Sequence, residues 1–213
     1  MRKGHPYVPT HVGPKGALFL NAPHQTQVTG DGNHGPPSIE VILENQKEIS
    51  EARCIQSTLK VSLKDPLGNV LESVQVQHFF FSGWPDHGVP NDAASIIKLV
   101  HLVDRTNSEG RMGSVPPVLV HCSAGVGRTG TFIAISSMFR VFKLLPAVSD
   151  ESSPTEDQPP ATSPLGKMSE VISEDVVALE VDGLRELRPG MLQRPEQVLF
   201  VYVVLAHALH GGA

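Results

Sequence analysis

The run His121-Cys122-Ser123-Ala124-Gly125-Val126-Gly127-Arg128-Thr129 gathers a thiol, small residues, a guanidinium and a hydroxyl into one short stretch. An apolar, strand-like segment at 118–120 precedes it and a helical pattern follows. A chain that turns from strand to helix through small residues aims successive backbone N–H groups, and the positive end of the helix dipole, at one point. An oxyanion belongs there, held by the backbone of Ser123, Ala124, Gly125, Val126 and Gly127. Cys122 opens this cradle, so its thiolate would share the field that holds the anion, which lowers its pKa below the usual value of about 8.5. Arg128 can fold back and bind two phosphate oxygens with its planar fork. The plainer reading makes Cys122 a core cysteine and the two glycines a simple turn. The order of cysteine, spaced glycines, arginine and hydroxyl residue argues against it.

Two further segments carry the right residue types. Trp84-Pro85-Asp86-His87-Gly88-Val89-Pro90 interrupts a strand-like pattern with stiff prolines and a glycine, which holds Asp86 on a loop able to close. Cleavage of a phosphate ester expels an alkoxide or phenoxide, and a carboxylic acid beside that oxygen removes the need to release an anion. Asp86 is the general acid on this reading. Without the cysteine loop, Asp86 would serve equally well as a turn cap and Trp84 as core. The second segment, Arg188-Pro189-Gly190-Met191-Leu192-Gln193-Arg194-Pro195-Glu196-Gln197, stands before the last apolar helix and on its own reads as a turn and a helix start. Proline in the first helical turn is well tolerated.

His121-Cys122, five residues, then Arg128-Thr129 resembles the signature loop of the cysteine-dependent protein tyrosine phosphatases. Trp84-Pro85-Asp86 is similar to that family's mobile acid loop, in which the tryptophan packs as the loop closes. The segment from Arg188 to Gln197 is similar to its glutamine loop, departing from it at Arg194-Pro195. The resemblance implies that Gln193 orients the water attacking a cysteinyl phosphate and that Gln197 assists from the helix start. An amide can do this without competing for the proton that Asp86 takes. It implies hydrolysis of phosphotyrosine in proteins with no metal or other cofactor. Thr129 would stabilise the thiolate through its hydroxyl, and His121 would shape the loop. Uncharged Ser123, Ala124 and Val126 set the loop apart from phosphoinositide phosphatases, which resemble it but carry lysines there. A dual-specificity phosphatase, or a phosphotyrosine-binding module without turnover, are the alternatives.

The elements that must position these groups follow from composition and pattern. The chain has 213 residues, 40% hydrophobic and 18% charged, which suffices for a core. Its net charge of −5 argues against general affinity for nucleic acid or acidic membranes. Two cysteines make no disulfide framework, and with no signal-like stretch they point to a cytoplasmic setting. The longest apolar run, at 198–206, falls short of the roughly 20 residues that span a bilayer and reads as a core helix.

Residues 1–38 show no period and are expected to be irregular. Short β-branched runs at 39–43, 53–63 and 74–81, parted by the turn at 64–69, predict strands. Asp92 caps a predicted helix with Ile96, Leu99, Val100 and Val103 on one face, leading to a strand at 118–120 and a helix over 128–145. Acidic, proline- and serine-rich 146–168 is an expected disordered insert. Val177, Val181 and Leu184 resume a helical face, and Val198, Val201, Tyr202 and Leu205 give the last helix. The alternation of strands and helices is of the α/β class, and the resemblance implies a central mixed twisted sheet with helices on both sides, in a catalytic domain over 39–210. The family's N-terminal helices, strands, tyrosine-bearing recognition loop and glutamate loop have no counterpart here, and Tyr7 lacks the family's flanking residues. A sheet so shortened is expected to expose an edge and an apolar face. Cys54, His207 and His210 receive no role.

Overall fold

A computed structural model of the chain describes residues 8–21, 36–85, 88–109, 115–146 and 174–211. Asp86, Tyr7 and all but Pro146 of the expected insert lie outside the described residues. The chain divides into two compact units, one holding the sheet and the other the helices.

Among the described residues the sheet has four strands in the order β1 (Leu18–Asn21), β2 (Ser38–Ile49), β3 (Cys54–Lys64) and β4 (Val70–Phe81). β2 pairs antiparallel with both β1 and β3, placing Val41 opposite Val61 and Leu43 opposite Leu59. One isolated parallel bridge joins Val12 to Leu43. Side chains alternate between faces along a strand. Val41 and Leu43 therefore point the same way, and with Leu59 they form a small core flanked by Leu18, Ile39 and Val61.

The Asp65 carboxylate stabilises the β3–β4 turn by accepting hydrogen bonds from Leu67 N at 2.9 Å and Asn69 N at 2.8 Å. β4 is an outer strand of this sheet, and Val70, Leu71, Val74, Val76 and Phe80 on it are exposed. The N-terminal segment is less irregular than expected, since it contains a 3-10 turn at Pro14–Gly16 and β1. A four-residue strand is too short to show a period, and its order comes from pairing with β2.

The helical unit comprises α1 (Ala93–Ser108), α2 (Gly127–Val141), α3 (Val176–Leu187) and α4 (Pro195–Leu209). Asp92 caps α1 as expected, its carboxylate accepting from Ala94 N at 2.9 Å and Ser95 N at 3.2 Å. Asp175 does the same for α3. Such caps satisfy backbone donors that have no partner inside the helix. Ile96 and Val100 of α1, Ile135 and Phe139 of α2, Val181 of α3 and Val201 and Val204 of α4 meet in one core. An ion pair between Arg140 and Asp104 ties α2 to α1.

Three expectations are corrected here. Residues 118–120 form no strand. Among the described residues nothing pairs with them, Pro116 and Pro117 just before them bring no N–H donor, and Leu119 is 92% exposed. α2 ends at Val141 instead of running to 145, because Lys143 turns into the left-handed region at φ 59°. Tyr202 does not share the buried face of α4, which is made by Phe200, Val201, Val204 and Leu205. Its hydroxyl instead donates at 2.7 Å to Asp175 Oδ2, joining α4 to the capped start of α3. No helix among the described residues is long and apolar enough to cross a membrane.

Candidate active site

Cys122 is half-buried at the last turn of chain before α2. Its Sγ accepts a hydrogen bond from Gly125 N at 3.2 Å. Burial of the sulfur opposes ionisation. The Thr129 hydroxyl and the backbone N–H groups of Thr129, Gly125 and Val126 outweigh it, bringing the thiol from its ordinary 9.0 down to about 7. Thr129 Oγ1 is buried and makes no hydrogen bond among the described residues, so its hydroxyl is available to the sulfur. The sequence reading of a thiol in a positive field matches this geometry.

The helix behind the loop contributes through its open end. Val126 occupies the N-cap of α2 without a side-chain hydrogen bond to the first turn. The N–H groups of an uncapped first turn face outward with the positive end of the dipole. Arg128, in that turn, donates from Nη2 to Ser123 Oγ at 3.0 Å and so lies across the loop it was expected to serve. Ser123, Ala124 and His121 are exposed, while Gly127 is buried.

The buried glycine explains how the glutamine segment reaches the site. A Cβ on Gly127 would stand 3.0 Å from Gln197 Nε2 and 3.6 Å from Gln193 Oε1, so both amides converge on the first residue of α2. Met191 and Leu192 anchor them in the helical core, and Leu192 N donates to Val126 O at 3.3 Å. Gln197 is buried, and its Oε1 accepts from Arg194 N at 3.2 Å, which fixes the start of α4 with Pro195 in its first turn. The departure at Arg194-Pro195 thus makes an ordinary helix start.

Trp84 is half-buried, its ring edge-on to Phe81 and Phe200 at centroid separations of 6.3 and 6.1 Å. Its indole N–H donates to Gly88 O at 3.1 Å, closing the chain on either side of Asp86. Asp86 itself lies outside the described residues.

Two arginines received no role from the sequence, although Arg188 opens the glutamine segment. Arg185 donates from Nε to Met191 O at 3.0 Å and from Nη2 to Leu192 O at 3.1 Å, holding the backbone just before Gln193. Arg188 Nη2 donates to Ala124 O at 3.3 Å, inside the cysteine loop. Basic residues in and just beyond the last turn of a helix that precedes the glutamines were the available signal.

An α/β chain that presents a thiol of lowered pKa at the open N-terminus of a helix has the architecture of a phosphate-handling, cysteine-bearing domain. The chain belongs to the protein-tyrosine phosphatase family, which it matches over residues 24–149. That match includes Trp84, Asp86 and the cysteine loop but ends before the glutamine segment. Among relatives, tyrosine-protein phosphatase 2 of Dictyostelium discoideum is 31% identical over 136 residues, covering 64% of this chain and 29% of that protein. Among solved structures, the Trypanosoma cruzi protein tyrosine phosphatase TcPTP1 superposes with a TM-score of 0.62 at 23% identity, covering 98% of this chain and 55% of that one. PTPN18, solved in complex with HER2-pY1248 phosphopeptides, gives a TM-score of 0.56 at 24% identity over 80% of this chain and 51% of that one. The chain spans less than half the length of the curated relatives it matches.

Proposed function

We propose that this chain hydrolyses phosphotyrosine in proteins, through a phosphoryl group carried transiently on Cys122. The observation that carries the reading is the Cys122 thiol, lowered to about 7 by the Thr129 hydroxyl and three backbone N–H groups at the head of α2. At neutral pH a substantial fraction of it is thiolate, the form that attacks phosphorus. The sulfur forms an S–P bond in line with the departing phenolic oxygen as the P–O bond breaks. Asp86 gives its proton to that oxygen. The N–H groups of residues 123–127 and the Arg128 guanidinium hold the equatorial oxygens as charge shifts among them. A water oriented by Gln193 then attacks phosphorus, Asp86 takes its proton, and the S–P bond breaks to return thiolate and inorganic phosphate. Gln197 holds the start of α4 and supports Gln193 at Gly127, Thr129 steadies the leaving thiolate, and Trp84 and His121 shape the flanking loops.

The family and the phosphopeptide complex of PTPN18 support phosphotyrosine proteins as the substrate class, and with it a part in signalling. Two unpaired cysteines support a reducing, cytoplasmic setting. Hydrolysis of a small aryl phosphate, followed by a comparison of phosphotyrosine with phosphoserine peptides, tests the reading. The wild-type chain should turn over both the aryl ester and phosphotyrosine. Cys122→Ser should bind phosphopeptide without turnover, and measurable hydrolysis by that variant would move the nucleophile elsewhere.

A further inference from the structure

We propose that Arg188 is a positioning residue for Cys122, acting through the Ala124–Gly125 peptide group. One end of that peptide, Ala124 O, accepts from Arg188 Nη2 at 3.3 Å, and the other, Gly125 N, donates to Cys122 Sγ at 3.2 Å. A trans peptide is planar, with its C=O and N–H pointing in opposite directions. A donor that fixes the oxygen on the outside of the loop therefore fixes the N–H toward the sulfur on the inside. A cation on the carbonyl also polarises the group, strengthening the N–H as a donor, because hydrogen bonds in series reinforce one another.

The guanidinium is seated against Gly125 itself. A Cβ there would lie 3.2 Å from Arg188 Nη2 and 3.6 Å from its Cζ, and Gly125 adopts φ +70°, which favours glycine. Arg188 is set in place by its own backbone, whose N–H donates to Leu184 O at 2.9 Å at the end of α3 and whose carbonyl accepts from Met191 N at 3.3 Å. The residue thus ties the glutamine segment to the cysteine loop and couples the approach of Gln193 to the orientation of the thiol's donor. Of the other titratable or charged side chains nearby, His121 and Arg128 belong to the loop, and Arg194 is paired with Glu196 at 2.9 Å.

This inference rests on Cys122 as the nucleophile, but its test reads the thiol directly. The rate of Cys122 alkylation by iodoacetamide, followed by peptide mass between pH 5 and 9, gives the titration midpoint whether or not the chain turns over substrate. Arg188→Met should raise the midpoint and slow alkylation at pH 6 by about threefold, as half a pH unit requires. Arg188→Lys, which keeps a charged donor, should restore most of the rate. Where both wild type and variant turn over an aryl phosphate, kcat/KM below neutral pH should fall in parallel. A wild-type midpoint in folded Arg188→Met overturns the proposal, even if that variant melts at a lower temperature. Should Arg188→Met fail to fold, Arg188→Gln takes its place with the same expected fall and the same overturning result. An unshifted thiol in the wild-type chain would overturn the nucleophile reading instead, which keeps the two failures apart.

Discussion

The cysteine loop and the segment from Trp84 to Gly88 are both expected to deliver one reacting group, yet they are held in different ways. The cysteine loop is tied from several directions: its own N–H groups meet the sulfur, Arg128 crosses to Ser123, Arg188 braces Ala124, and two glutamines close on Gly127. Among the described residues of the Trp84 segment, the indole supplies two ring contacts and a hydrogen bond to Gly88 O. A group that must be ionised before substrate arrives needs its electrostatic surroundings already built. A proton donor that must approach a leaving oxygen needs only a defined anchor. The difference suggests that the two regions can be damaged separately.

The sharpest test of that separation is Asp86→Ala. Removing the general acid should lower kcat for phosphotyrosine by about 10²–10⁴-fold. Cys122 should still be alkylated with a midpoint at about 7, because among the described residues the groups that set it are Thr129, Gly125 and Val126. A shifted midpoint in this variant would show that the two regions are coupled. Trp84→Phe is the gentler version. It keeps a ring against Phe81 and Phe200 but loses the bond to Gly88 O, worth about 1 kcal/mol. A modest fall in kcat with an unchanged thiol is expected, read by pairing steady-state turnover with the alkylation profile.

Legibility in the sequence follows the same division. The cysteine loop could be read because its residue types are chemically unusual and contiguous, and Asp92 because a cap is a local device. Met191 and Leu192 are buried in the helical core beside exposed Gln193, and no helical or strand period passes through them to announce it. Arg188 reaches Ala124 across 64 positions, a relation set wholly by tertiary packing. Residues 118–120 carried every local mark of a strand, but a strand is a relation between chains of backbone donors, and among the described residues no partner supplies one. Tyr202 misled for a related reason. α4 is apolar on nearly every face, so periodicity alone could not select the buried one, and a polar contact to Asp175 took the tyrosine outward.

The smallest expected effect tests how the cysteine loop is held from within. Thr129→Val keeps the side chain's shape and removes the hydroxyl available to Cys122; among the described residues no other partner is left behind. The thiol midpoint should rise from about 7 toward the ordinary 9.0 without reaching it, since the backbone N–H groups remain. Stability should register the same change. Because the folded thiol ionises at about 7 and the unfolded one at about 9.0, the unfolded chain binds more protons between those values, so the folded state gains stability as pH rises through this window. That gain is complete above 9 and is lost as pH falls through 7. Melting temperatures of wild type, Thr129→Val and Cys122→Ser at several pH values in the window read the effect directly. The wild-type advantage over Cys122→Ser should grow with pH, and in Thr129→Val it should grow less. An advantage that stays flat across the window would mean that the loop holds sulfur and thiolate equally well, and the contrast with the Trp84 segment would then lie in packing alone.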